Sequence, residues 1–355
     1  MLFSKKGNLV GLDLGSSAVK LVQLKELGRG GGYRLVNLGV SPLSPEAIVD
    51  GAIMDSGLVV DVIQNVFREN KVKGGDVALS LSGHSVIIKR VSLPTMNEEE
   101  LAESIQWEAE QYIPFDIQDV NIDYQILQGG AQTGDGNMDV LLVAVKKSKI
   151  TDYTSVLHQA GKNPMVVDVD VFALQNAYEV NYNPEPDQTI ALVNIGASVT
   201  NIAIMQGINS VFWRDISIGG NQYTDAIQKE LNLSFEKAEA LKRGEEAAGE
   251  NADKLNQILK QVSQDVGSEV QKTLDFFKAT TSGESATKIM LTGGSSRVPG
   301  LQELLAERFG VPVEMFNPFQ AIQVNEKHFP PERLQELAPN LAVAVGLALR
   351  RVGDK

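Results

Sequence analysis

Residues 10–24, VGLDLGSSAVKLVQL, link two apolar alternating runs through a turn that carries Asp13, Gly15, Ser16 and Ser17. Glycine at 15 exposes backbone N–H groups that a Cβ would screen, and the two serines add hydroxyl donors beside them, a pattern that can cradle a phosphate. The Asp13 carboxylate suits a cation reached through water, as expected for magnesium. Lys20, on the returning run, lies within reach of a β- or γ-phosphate. The same residues also describe a plain tight hairpin with a surface lysine.

A looser copy follows at 191–205, ALVNIGASVTNIAIM, which sets Asn194 against Asp13, Gly196 against Gly15 and Ser198 against Ser17, with Ala197 between. Two such turns, one in each half of the chain, predict loops that close on one polyphosphate from opposite sides. In IMLTGGSSRVPG, Gly293 and Gly294 end an apolar strand before a helix, which would bring backbone against a nucleoside with Arg297 nearby. SFEKAEALKRG reads as a helix from cap Ser234 to Gly244 that presents Glu239 and Lys242 one turn apart, a spacing that by itself describes an exposed ion pair. Gly219 and Gly220 precede another helix, as a phosphate approach or a plain helix-start turn.

The elements that must position these turns alternate between strand and helix. YRLVNLGVSPL extends the first hairpin, DVIQNVFREN has helical apolar spacing, and DVALSLSG reads as a strand, which predicts a mixed sheet covered by helices. From 88 to 165 the register changes: a strand, a helix NEEELAESIQWEAEQYIP capped by Asn97 with stripe Leu101, Ile105, Ala109 and Tyr112, two strands joined by the glycine-rich QGGAQTGDGN, a helix and a last strand. This block reads as a small α+β unit inserted into the larger pattern. The two prolines of NYNPEPDQ mark a linker, and a long helix runs from Leu255 to about Phe277.

Composition excludes several functions. With 32 basic and 45 acidic residues the net charge is −13, which argues against general affinity for nucleic acid or an anionic membrane. No cysteine exists to form a disulfide or thiolate site, and three scattered histidines do not make a His-rich one. No window reaches the roughly 18 apolar residues of a spanning helix, and MLFSKKGNLVG lacks a signal-peptide core. LAVAVGLALRR, too short to span, is expected as a core helix. These features suit a reducing cytosol.

In this order the motifs resemble the actin, Hsp70 and sugar kinase ATPase superfamily: phosphate-1 at 11–24, connect-1 near 168–179, phosphate-2 at 193–204, the adenosine motif at 290–300 and connect-2 at 341–349. The block at 88–165 is similar to the extra subdomain of the FtsA group. FSKKGNLVGLDLGSSAVKLVQL, LPTMNEEELAESIQWEAEQYIPFDI, VVDVDVFALQNAYE and IGGNQYTDAI resemble stretches of the PilM family of type IV pilus assembly. The resemblance implies an α/β, actin-like (RNase H-like) two-lobed fold. Lobe 1 would span 1–87 and resume at 166–186, with the inserted subdomain at 88–165, lobe 2 at 187–335 and a C-terminal helix returning at 336–355.

It further implies ATP and Mg2+ between the lobes. Asp13 would hold the metal through water, with Gly15, Ser16, Ser17 and Lys20 on one side of the phosphates and Asn194, Gly196, Ala197, Ser198, Gly219 and Gly220 on the other. Glu239 and Lys242 would meet ribose and adenine opposite Gly293, Gly294 and Arg297, and Asp170 would orient an attacking water. Asn194 stands where phosphate-2 often begins with Asp, so tight nucleotide binding with slow or absent turnover is expected. The implied role is a cytoplasmic scaffold recruited to the inner membrane by a PilN-like protein, whose N-terminal peptide would sit near the inserted subdomain. Other pilus assembly proteins are further implied partners, nucleic acid is not, and self-association is left open. A small-molecule kinase would need a substrate domain that has no usual place here, and a division-type tether would need an amphipathic tail beyond RRVGDK. Trp107, Tyr112 and Phe115 form either an aromatic patch for a partner or part of the small unit's core.

Overall fold

The computed structural model describes residues 9–28, 30–127, 136–281 and 283–354. Most of the glycine-rich connection, residues 128–135, and the N-terminal residues 1–8 therefore lie outside the described residues. The opening hairpin is strand β1 (Val10–Leu14) paired antiparallel with β2 (Ala18–Glu26), which pairs with β3 (Tyr33–Pro42). The dipeptide Asp50-Gly51, both residues at positive φ, then turns the short β4 (Ile48–Val49) back onto β5 (Ala52–Ile53). Helix α1 (Ser56–Glu69) starts where Asp55 caps the Leu58 N–H at 2.9 Å, and its residues Val59, Ile63, Val66 and Phe67 are buried. Strand β6 (Asp76–Leu81) runs parallel to β1.

Next come β7 (Val86–Pro94), α2 (Glu98–Ala109), β8 (Val120–Ile126) and β9 (Asn137–Lys146). Asn97 and Glu100 cap α2 reciprocally, each at 2.9 Å from the other's backbone N–H. The strands form a separate antiparallel sheet, β7-β9-β8, and α2 buries Leu101, Ile105 and Ala109 against its own core. Helix α3 (Lys147–Gln159) and strand β10 (Asn163–Val169) were expected in the same unit but belong elsewhere. Tyr153, Val156 and Leu157 of α3 pack with α1, and β10 pairs parallel with β6. The unit with its own core therefore spans 86–146 rather than 88–165. A helix and strand at the end of an insertion have the same pattern as those of the parent sheet, so only strand pairing separates them.

Helix α4 (Asp170–Asn181) leads to the second hairpin, β11 (Thr189–Ile195) and β12 (Thr200–Gln206), followed by β13 (Asn209–Ile216). Helices α5 (Gly220–Leu231), α6 (Phe235–Arg243) and the 29-residue α7 (Ala252–Thr280) cover this half. Strand β14 (Lys288–Thr292), α8 (Leu301–Phe309), β15 (Val313–Met315), α9 (Pro331–Leu337) and α10 (Ala342–Ala348) complete the chain. The sheet orders are β3-β2-β1-β6-β10 and β13-β12-β11-β14-β15, each with three antiparallel strands and two added in parallel. The repeated turn thus marks a repeated sheet.

Between the sheets lie α4 and α10, in one core with Val22 and Leu24 from the first sheet and Leu192, Ala203 and Met205 from the second. Helix α10 is buried at all seven positions, as a helix apolar on every side must be. Contact there is close: a Cβ on Gly346 would stand 1.7 Å from the Ala173 carbonyl oxygen. Among the described residues no helix is long and apolar enough to cross a membrane.

Candidate functional site

The two repeated turns face one another across a cleft of about 790 Å3, counted to its open mouth. From the first turn come Asp13, Gly15, Ser16, Ser17 and Lys20, and from the second Asn194, Gly196, Ala197 and Ser198. Gly293 and Gly294 at the end of β14 and Asp170 at the start of α4 line the same space. The turns close alike: Gly15 N–H donates to the Ala18 carbonyl at 3.1 Å, and Gly196 N–H to the Val199 carbonyl at 3.0 Å. The N–H groups of Ser16, Ser17, Ala197 and Ser198 have no protein acceptor among the described residues. Four free donors and three hydroxyls at one cleft suit an anion with several oxygens.

Strand register fixes the side chains behind the turns. Asp13 is opposite Lys20, and the two are ion-paired at 2.9 Å. Asn194 is opposite Asn201, donates to its Oδ1 at 2.7 Å, and Asn201 in turn donates to Asp215 on β13 at 2.8 Å. Asp215 also accepts the Gly83 N–H at 2.6 Å, so a carboxylate of the second half holds a loop of the first. Burial raises the Asp215 carboxyl above its ordinary value, against the pull of Asn201 and Gly83. Asp170 accepts from Ser80 Oγ at 2.5 Å and is pushed up to about 6, by burial first and then by the charge of Asp13. Among the described residues no three His, Asp or Glu side chains group to enclose a cation.

Five expected contacts lie outside the lining. Gly219 and Gly220 sit behind the second turn, where Gly220 N–H donates to the Gly196 carbonyl at 2.9 Å and Asn221 N–H to that of Ala197 at 2.8 Å. They brace the turn rather than reach the cleft. Glu239 and Lys242 pair with one another beneath Gly220, and Thr224 donates to Glu239 at 2.6 Å. The pair is neither exposed nor in the cleft: the two side chains are 17% and 9% accessible. Burial alone would raise the Glu239 carboxyl, but Lys242, Thr224 and Arg243 outweigh it and hold the group below its usual range. Arg297 donates to the Glu336 carbonyl at 2.7 Å.

Several lining residues carried no signal in the sequence reading. Asp50 and Gly51 come from the β4–β5 turn, Ser80 and Ser82 from the end of β6, Lys149 from the start of α3, and Asn340 from the segment before α10. The Asp-Gly pair at 50–51 was legible as a hairpin turn. Nothing in spacing alone would have brought Lys149 to the cleft of the two turns, since it enters just after the exit strand of the inserted unit.

Comparison with known proteins agrees with this architecture. The family model for type IV pilus assembly protein PilM matches residues 11–352. A solved PilM-PilN type IV pilus biogenesis complex contains a chain 30% identical to this one, with 98% of this chain and 100% of that one covered and a TM-score of 0.88. The cell division protein FtsA of Enterococcus hirae is 24% identical over 366 residues, covering 89% of this chain and 80% of that protein. MreB5 of Spiroplasma citri, solved bound to ADP, shares the fold at 15% identity and a TM-score of 0.51, with 95% and 94% covered.

Proposed function

This chain belongs to the PilM family of type IV pilus assembly proteins, and from that membership we propose that it is an ATP-binding, actin-like scaffold that docks the N-terminal peptide of a PilN-like inner-membrane protein. The observation that carries this reading is the likeness, along nearly the full length, to a chain solved in a PilM-PilN complex. In this reading the scaffold works on the cytoplasmic side and reaches the membrane only through its partner.

The four unpaired N–H groups of the two turns, with the Ser16, Ser17 and Ser198 hydroxyls, are the donors that would hold a triphosphate. A bound nucleotide would supply a polyanion for the donors of both turns. Asp13 would hold Mg2+ through water, and Lys20, 2.9 Å away across the hairpin, orients its carboxylate. Gly293, at φ +90° and with its Cβ position 2.3 Å from the Ile195 carbonyl oxygen, lets β14 approach the second turn closely enough to wall the cleft. Asn194 offers an amide where the equivalent Asp13 offers charge, so metal and water positioning is weak on that side and turnover slow. Gly219, Gly220, Glu239 and Lys242 act as braces of the second turn.

Because the cleft lies between the halves, a nucleotide bound to both favours the closed arrangement by the difference in its affinity for closed and open forms. A titration of the N-terminal peptide of a PilN-like protein, with and without ATP and Mg2+, tests both parts. Binding strengthened by nucleotide is expected. No peptide uptake in either condition would overturn the docking role, and absent ATP uptake at millimolar concentration would overturn the nucleotide role.

A further inference from the structure

The charged side chains of the cleft are Asp13, Asp50 and Asp170 against Lys20 and Lys149, a net charge of −1 (−3 + 2). Such a wall does not by itself attract a polyanion, so the state of each cation matters. Lys20 is committed to Asp13 at 2.9 Å. Lys149 is not within ion-pair distance of any carboxylate among the described residues. Its ammonium donates to the Ser82 carbonyl oxygen at 2.6 Å and lies 5.6 Å from the centre of the Tyr153 ring. One donor of three is thus used on a protein oxygen.

Lys149 is only 9% exposed, and the space around its ammonium is kept by particular residues. Tyr153 Oη donates to the Gly51 carbonyl at 3.0 Å, which folds the β4–β5 turn over it. A Cβ on Gly51 would stand 2.6 Å from the ammonium. The charge faces Asp170, bonded to Ser80 in the first half, and Asp215, bonded to Asn201 in the second. A buried cation with spare donors, set beside groups that lead to both turns, is a poor structural ion pair and a good anion contact.

We propose that Lys149 is the residue by which this cleft distinguishes a nucleoside triphosphate from a diphosphate, its ammonium meeting the terminal phosphate. The inference rests on the nucleotide reading above and adds to it a specificity-determining contact from outside the two turns. It also gives the inserted unit a stake in the cleft. Lys149 lies three residues beyond the end of β9, and Lys146 N–H donates to the Ser85 carbonyl at 3.0 Å, so the two strands of the unit's neck are stitched together next to Ser82.

Calorimetric titration of ATP and of ADP into the wild type, Lys149→Gln and Lys149→Arg tests this. In Lys149→Gln the ATP affinity should fall about tenfold to a hundredfold, the worth of a charge-assisted bond, with ADP affinity nearly unchanged. Lys149→Arg should recover most of the loss. An unchanged ATP-to-ADP ratio in Lys149→Gln, or an equal loss of both nucleotides, would overturn the assignment. Wild-type protein that takes up neither nucleotide would instead overturn the function proposed above and this assignment with it. If the variants do not fold, acylation of wild-type Lys149 read by mass spectrometry decides: ATP should slow it more than ADP, and equal protection would sink the idea.

Discussion

Asp13 and Asn194 hold the same position in the two sheets, yet Asp13 closes on a lysine across its hairpin and Asn194 on another amide, with Lys20 at 2.9 Å and Asn201 at 2.7 Å. The repeat has kept its backbone and lost its charge symmetry. In the second half the negative charge has moved two strands over, to Asp215, through Asn201. Asn194→Asp should therefore act twice. Asn201 Oδ1 accepts from the Asn194 amide while the Asn201 NH2 is turned to Asp215, so a carboxylate at 194 sets two acceptor oxygens face to face, deprives Asn201 Oδ1 of its donor and lowers nucleotide-free stability by about 1–2 kcal/mol. With Mg2+ present the same carboxylate can meet the cation, so ATP affinity in calorimetry should become more dependent on Mg2+ than in the wild type.

Asp170 gives a pH signature. Its folded-state value of about 6 lies above the ordinary 3.8, so between those values the folded protein holds a proton that the unfolded chain has released. Stability from this group is full below about pH 4, falls as pH rises to 6 and is flat above. Asp170→Asn keeps an acceptor for Ser80 and removes the charge. Relative to the wild type, nucleotide-free Asp170→Asn should gain up to about 2 kcal/mol above pH 6 and nothing below pH 4, a figure discounted for the open side of the cleft. Thermal unfolding across pH 4–8 measures the difference, and a constant offset would count against a raised Asp170.

How much of this was legible depended on whether a feature was local. The two turns, the Asn97 cap, the Ser234-to-Gly244 helix and the buried α10 are written in spacing and capping residues, and a single window suffices to read them. The fate of α3 and β10 was not, because it depends on β10 choosing β6 as its partner, and the paired residues Asp168 and Ser80 lie 88 positions apart in sequence. Lys149 and Asp50 were missed for the same reason: each enters the cleft from an element whose own sequence concerns something else. Glu239 and Lys242 misled because a one-turn acid–base spacing fits a solvent pair, a ligand contact and a buried brace equally well.

Gly346 tests the layer between the sheets. Its missing Cβ would stand 1.7 Å from the Ala173 carbonyl oxygen and 2.4 Å from the carbonyl carbon, both backbone atoms that cannot rotate away. Gly346→Ala forces α10 from α4, and since α10 also packs on β1 the disturbance reaches the first turn. A loss of about 3 kcal/mol or more is expected, at the upper end of overpacking costs. Gly57→Ala, with 3.5 Å to its nearest neighbour, is the control and should stay within about 0.5 kcal/mol of the wild type in denaturant titration.

Trp107 offers an optical test of where a partner sits. Its ring is 75% exposed on α2, whereas Tyr112 and Phe115 pack partly against the inserted unit's core and Lys146 lies 4.3 Å over the Phe115 ring. The three aromatics therefore divide: two serve the unit itself, and one stands in water on a helix whose apolar face is already satisfied by Leu101, Ile105 and Ala109. The second tryptophan, Trp213, packs edge-to-face on Phe172 at 6.1 Å with a buried indole nitrogen, so it should emit to the blue of Trp107. In Trp213→Phe the remaining emission reports α2 alone. If the inserted unit takes the N-terminal peptide of a PilN-like protein on this face, titration should shift that emission to the blue. Trp107→Ala should then weaken peptide binding by about tenfold while leaving stability within about 0.5 kcal/mol, because an exposed aromatic anchor contributes to binding and not to the fold. Calorimetric binding with no change in Trp107 emission would move the docking face off α2.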